Sequence, residues 1–140
     1  MTQTQWPVTA DGKYVIDATV GNLELQPMID LGLTDPAGQV GFALDPTTYD
    51  LLKRAGQLTK YRARLCRDAS GRFSTIECAL TTAHLIHPTT RRQVGPVVRV
   101  FVSRGVTAVP NRVGVPFFHL LTGCRIVWNL ADRTWCVECS

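Results

Sequence analysis

Several features that would settle a function outright are missing from these 140 residues. No apolar run approaches the roughly 20 residues of a membrane-spanning helix. The N-terminus, Met1-Thr2-Gln3-Thr4-Gln5-Trp6-Pro7, carries neither the basic nor the apolar region of a secretory signal, so the expectation is a cytoplasmic protein with no membrane partner. No Gly-x-Ser-x-Gly presents a nucleophilic serine, and His84, His87 and His119 have no companion nucleophile in a recognisable setting. The Cys-x-x-Cys spacing occurs once, at Cys136 and Cys139, without the second pair that a structural zinc site usually needs. Low-complexity tracts, solenoid-length repeats and linkers are also missing. Nothing in the chain points to a bound metal or cofactor, and none is expected.

What is present supports a folded core. Apolar residues make up 45% of the chain, including three Trp, three Tyr and five Phe, enough for one globular domain of this length. The net charge of +4 raises the question of nucleic acid, but the basic residues are scattered. Their clearest group runs from Lys60 to Arg67, where Arg62 and Arg64 alternate with Tyr61, Ala63 and Leu65, as a solvated strand face would, so no nucleic-acid partner is expected. An odd count of five cysteines suggests reduced thiols. Cys66, Cys78 and Cys124 then read as small core residues, and Cys136 and Cys139 as terminal strand residues. A zinc or redox role would need His84 or His87 brought to the C-terminus.

Short strands separated by turn signals run through the chain. Residues 14–20 and 23–29 form a hairpin about Gly21-Asn22, and 30–38 is too rich in Gly, Pro and Asp for regular structure. A strand over 40–44 precedes a helix with Asp45 as N-cap and Pro46 in its first turn. Residues 60–67 and 72–80 make a long hairpin turning at Asp68-Ala69-Ser70-Gly71, whose second strand extends towards residue 86. Strands over 97–102 and 106–109 lead to a short helix over 117–121, with His119 packed or at an interface, and then to a closing hairpin, 125–129 with 134–138. The fold class is all-β, a barrel-like packing with one or two short helices. Residues 1–12 form an N-terminal segment, either disordered or a dimer strand, and 13–140 form the domain.

One ordered set of motifs carries chemistry. Met28-Ile29 leads into Asp30-Leu31-Gly32-Leu33-Thr34. A turn-tipped hairpin follows, and late in the chain Arg112-Val113-Gly114 opens the short helix. Read from the residues alone, Asp30 could equally be a turn aspartate that satisfies the backbone of Gly32 and Leu33, and Asp68 to Gly71 an ordinary surface turn. Taken together, the set resembles the retropepsin-like aspartic proteases from about Tyr14 to Glu138, and the closing hairpin suits their bacterial members. In that family two apolar residues precede Asp-Thr-Gly or Asp-Ser-Gly, and an apolar residue with a glycine opens the late helix.

The resemblance implies a retropepsin-like closed barrel with a flap hairpin. Asp30 would be the catalytic residue, with Leu31, Gly32, Leu33 and Thr34 as the active-site loop. Asp68, Ala69, Ser70 and Gly71 would form the flap, and Val113 and Gly114 the second loop. The chain has only one such aspartate motif, so the implied enzyme is a homodimer cleaving a peptide or protein substrate. Leu31 departs from the pattern: the family has a hydroxyl there that ties the two active-site loops together, and leucine can neither donate nor accept a hydrogen bond. Three readings follow: an aspartic endopeptidase, a catalytically inactive peptide-binding or dimerisation module of the same fold, and an unrelated β-barrel binding protein.

Overall fold

A computed structural model describes residues 2–9, 11–33, 40–67, 70–106, 109–129, 131–132 and 134–140. The first half of the chain contributes β1 (Thr2–Gln5), β2 (Ala18–Val20), β3 (Leu23–Leu25), β4 (Met28–Ile29), β5 (Val40–Leu44) and α1 (Pro46–Arg54). The second half contributes β6 (Thr59–Arg67), β7 (Phe73–Ile86), β8 (Gln93–Arg104), β9 (Arg112–Val113), α2 (Val115–His119), β10 (Cys124–Asn129) and β11 (Thr134–Cys139).

The hairpin about Gly21 shapes the main sheet. Gly21 turns with a φ of 58°, a left-handed value that glycine adopts without strain. Ala18 then faces Leu25, and the same antiparallel register continues to Val15 opposite Met28. The near half of this hairpin is paired with β7 through β2, while its far half meets β9 through β4. One hairpin therefore belongs to both ends of the strand order β3-β2-β7-β8-β5-β9-β4. The sheet curls strongly into a half-barrel as a result, the mostly-β packing with two short helices expected from the sequence. Val20, Phe42, Leu44, Leu85, Val102 and Phe117 fill its interior.

A second sheet, in the order β1-β11-β10, joins the two ends of the chain. The N-terminal segment thus pairs with its own chain's C-terminal strand, Gln3 facing Glu138. All three tryptophans fasten this sheet to the barrel. Trp6 and Trp128 each stack on Trp135, at 5.5 and 5.7 Å between ring centroids, and the Trp6 indole donates to the Ile86 carbonyl.

Local signals place α1 where expected. Asp45 accepts from the Thr48 amide as its N-cap, Pro46 stands in the first turn, and Lys53 and Arg54 lie in the last turn. Three expectations need correction. Arg62 and Arg64 do not form a solvated face: both are half-buried, whereas Tyr61, Ala63, Leu65 and Phe73 are exposed. A bulge at Lys60, φ 51°, shifts the register by one residue between Thr59 and Arg62, and such a shift exchanges the two faces of everything beyond it. Arg62 then stacks over the Phe101 ring at 3.9 Å.

The cysteines are not all thiols either. Cys124 and Cys139 oppose each other across β10 and β11 and form a disulfide, whereas Cys136 is a buried thiol and Cys78 is buried beside neither of them. Finally, Val106 and Val109 lie outside any strand and are exposed. The intervening residues 107 and 108 lie outside the described residues. Of the two places expected for His119, packed or at an interface, its exposure at the end of α2 leaves the second.

Candidate active site

Strands β4 and β9 run parallel, Met28 beside Arg112 and Ile29 beside Val113. Their backbone bonds continue past the strand ends: the Met28 amide donates to the Asn111 carbonyl and the Asp30 amide to the Val113 carbonyl, both at 2.9 Å. Asp30 is thereby fixed at the end of a strand that is itself held from both sides, since the Ile29 amide donates to the Tyr14 carbonyl. The chain then turns, with the Leu33 amide bonded to the Asp30 carbonyl at 3.1 Å.

Within this turn the Asp30 carboxylate has two partners. Its Oδ1 accepts from the Gly32 amide at 2.9 Å and its Oδ2 from Arg112 Nη1 at 3.0 Å. The side chain remains 30% exposed. Leu31, at the tip, is exposed, and Gly32 beside it is open to solvent as well. Thr34 lies outside the described residues.

The second loop meets the first directly. Val113 is fully buried, and the Gly114 amide donates to the Gly41 carbonyl at 2.9 Å. Gly114 packs so closely on Leu33 that a Cβ there would come within 2.8 Å of that residue's Cβ and Cγ. The residues expected around the aspartate, Asp30 to Leu33 with Val113 and Gly114, are therefore one contiguous structure. Of the hairpin tip, Asp68 and Ala69 lie outside the described residues; Ser70 is exposed and Gly71 turns with a φ of 84°.

Arg112 is the site residue that sequence reasoning passed over. Its signal was present: on a strand, the neighbour of a buried Val113 leaves by the opposite face. A cavity of about 560 Å³ opens elsewhere, lined by Thr4, His87, Arg92, Cys124 and Cys139 among others, and shares no residue with the Asp30 site. There His87 Nδ1 accepts from the Thr89 and Thr90 amides, which makes it a turn residue. Among the described residues no three His, Cys, Asp or Glu side chains converge as a metal site.

No protein-family model matches the chain, and no curated protein matches it. Among solved structures it is similar to the crystal structure of a retropepsin-like aspartic protease from Rickettsia conorii, with a TM-score of 0.55 and 18% sequence identity. The similarity covers 97% of this chain and 98% of that one. The chain has a retropepsin-like fold.

Proposed function

We propose that the chain is an aspartic endopeptidase that works as a homodimer, with one Asp30 from each copy hydrolysing an extended peptide. The observation that carries this reading is the placement of Asp30: a partly exposed carboxylate at the end of β4, braced by the Gly32 amide and packed beside the Val113-Gly114 loop. Two carboxyl groups within reach of one water share a proton, so that one acts as general base on the water while the other polarises the scissile carbonyl. The other aspartates with a clear role are engaged elsewhere. Asp17 is buried against Gln26 and Arg91, Asp45 caps α1, and Asp50 pairs with Arg104. The second carboxylate then comes from a second copy, and the exposed Leu31 at the turn tip is apolar surface that a two-fold contact would cover.

Incubation with a mixed peptide library at acidic and neutral pH tests the reading. Cleavage is expected from the natural chain, with a fall of about 100-fold or more in Asp30→Asn, as for loss of an acid–base group. Cleavage that survives the substitution removes Asp30 from the mechanism. In solution the active species is expected at twice the chain mass, and a strict monomer overturns the dyad.

Two observations favour a second reading, a non-catalytic peptide-binding or dimerisation module. Leu31 offers no hydroxyl, and Arg112 occupies Oδ2 of Asp30. Leu31→Thr separates the two. Cleavage that appears only in the threonine variant marks the natural chain as a degenerate site. Cleavage by the natural chain that threonine does not increase removes this second reading.

A further inference from the structure

Arg112 and Asp30 form the one ion pair that this site contains among the described residues. Oδ1 of Asp30 is taken by the Gly32 amide and Oδ2 by Arg112. Each carboxylate oxygen has two lone pairs, so the guanidinium takes one of the two places on Oδ2 at which a water could be held, and its departure opens that place. The structure also shows why it can leave. Arg104 binds Asp50 with two prongs, Nε to Oδ1 and Nη2 to Oδ2. Arg112, in contrast, presents only Nη1 to Asp30, and its Nε is buried with no hydrogen-bond partner among the described residues. A guanidinium held by one of its five N–H groups is poorly satisfied beside one held by a fork. The pair is also reachable, since Arg112 and Asp30 are 37% and 30% exposed.

We propose that Arg112 is a specificity-determining residue: an acidic side chain next to the scissile bond takes the guanidinium as a two-pronged partner and thereby frees Oδ2 of Asp30 for the hydrolytic water. The inference rests on the endopeptidase reading. Its chemistry is a carboxylate exchange. Substrate carboxylate replaces Asp30 at Arg112, and water replaces Arg112 at Asp30. A neutral or basic side chain at the same place leaves the resting pair intact.

The test uses one peptide backbone with both termini blocked, so that the only varied carboxylate is a side chain, carrying Glu, Gln or Lys at one central position. Binding is read by fluorescence anisotropy for the natural chain, Asp30→Asn, Arg112→Gln and Arg112→Lys, and cleavage of the same peptides is read for the natural chain. The Glu peptide is expected to bind about tenfold or more tightly than the Gln peptide, the size of a charge-assisted contact. The ratio is expected to rise in Asp30→Asn, where no carboxylate competes for Arg112. It should vanish in Arg112→Gln and persist in part in Arg112→Lys. Unchanged circular dichroism and urea midpoint in Arg112→Gln exclude misfolding, and the lysine variant retains the charge if the glutamine variant does not fold.

Equal binding of the Glu and Gln peptides to Asp30→Asn, no measurable binding of the Glu peptide, or a preference that survives Arg112→Gln overturns the inference. Acidic preference in binding with no cleavage of any peptide upholds Arg112 and overturns the endopeptidase reading. Cleavage indifferent to the central residue does the reverse.

Discussion

At Gly114 a neighbour, and not the backbone torsions, demands glycine. Its φ of −122° and ψ of 178° are extended values open to any residue. The constraint is Leu33, whose Cβ and Cγ lie 2.8 Å from where a Gly114 Cβ would stand. Both atoms belong to the turn that carries Asp30, so a methyl group cannot be admitted without moving that turn off the β4–β9 pair. Gly114→Ala is expected to lower stability by about 1–3 kcal/mol, the usual cost of overpacking, and to shift Asp30 away from Val113. Urea unfolding measures the first effect, and an unchanged midpoint would show that Leu33 yields freely. The apolar-residue-then-glycine motif is thus readable as a contact: two loops far apart in sequence need the same small volume.

At the scale of elements, alternation identifies strands more reliably than it identifies faces. The run from Lys60 to Arg67 alternates as a strand should, and it is one, β6. A single bulge at Lys60 nevertheless reverses which set points inward. The result is a hairpin with Tyr61, Leu65 and Phe73 exposed and Arg62 sheltered on Phe101. The closing hairpin shows the complementary case. Counting five cysteines points to free thiols, but strand register puts Cys124 opposite Cys139, with Cα atoms 4.1 Å apart. Their disulfide closes a sequence separation of 15 residues, which in the chain-entropy account contributes about 3 kcal/mol. Urea unfolding with and without reductant is expected to differ by up to that amount. Identical midpoints, with reduction verified by thiol counting, would show that the pairing of β1, β11 and β10 alone holds the ends of the chain.

The whole molecule should respond to acid through a charge cluster on the α1 side of the barrel. The fork of Arg104 holds Asp50 below its ordinary value of 3.8 against a smaller upward pull from desolvation. For Glu77 desolvation acts upward, but the hydrogen bonds and charge of Lys53 together with the charge of Arg104 outweigh it, and the carboxyl ends below its ordinary value of 4.5. A carboxyl group whose folded value is depressed contributes stability that is present above its unfolded value and is lost as pH falls through the folded one. The melting temperature should therefore hold above about pH 5 and decline below about pH 4. Asp50→Asn is expected to make that decline shallower and to lower stability slightly at neutral pH. A decline of the same steepness in the variant would place the acid sensitivity elsewhere. Both carboxylates are well exposed, so salt should weaken the effect.

Local chemistry carried much of the fold in the sequence. Gly21-Asn22 set a turn, Asp45-Pro46 set the start of α1, and the apolar approach to Asp30 set a strand that ends in a tight turn; each of these is a short-range steric or hydrogen-bonding preference that acts wherever the chain lies. The ordering of Asp30, the turn-tipped hairpin and Val113-Gly114 was likewise visible, because each is a short local pattern, and at Gly114 the packing of Leu33 leaves no room for a Cβ. Tertiary structure decided what depends on register and on distant partners. The Lys60 bulge chose the buried face of β6, the β10–β11 register chose the disulfide, and the parallel pairing of β4 with β9 put Arg112 on Asp30 across 82 positions of sequence. No local propensity encodes such a meeting, since it is fixed only when the hairpin of residues 14–29 bends round to reach both ends of its own sheet.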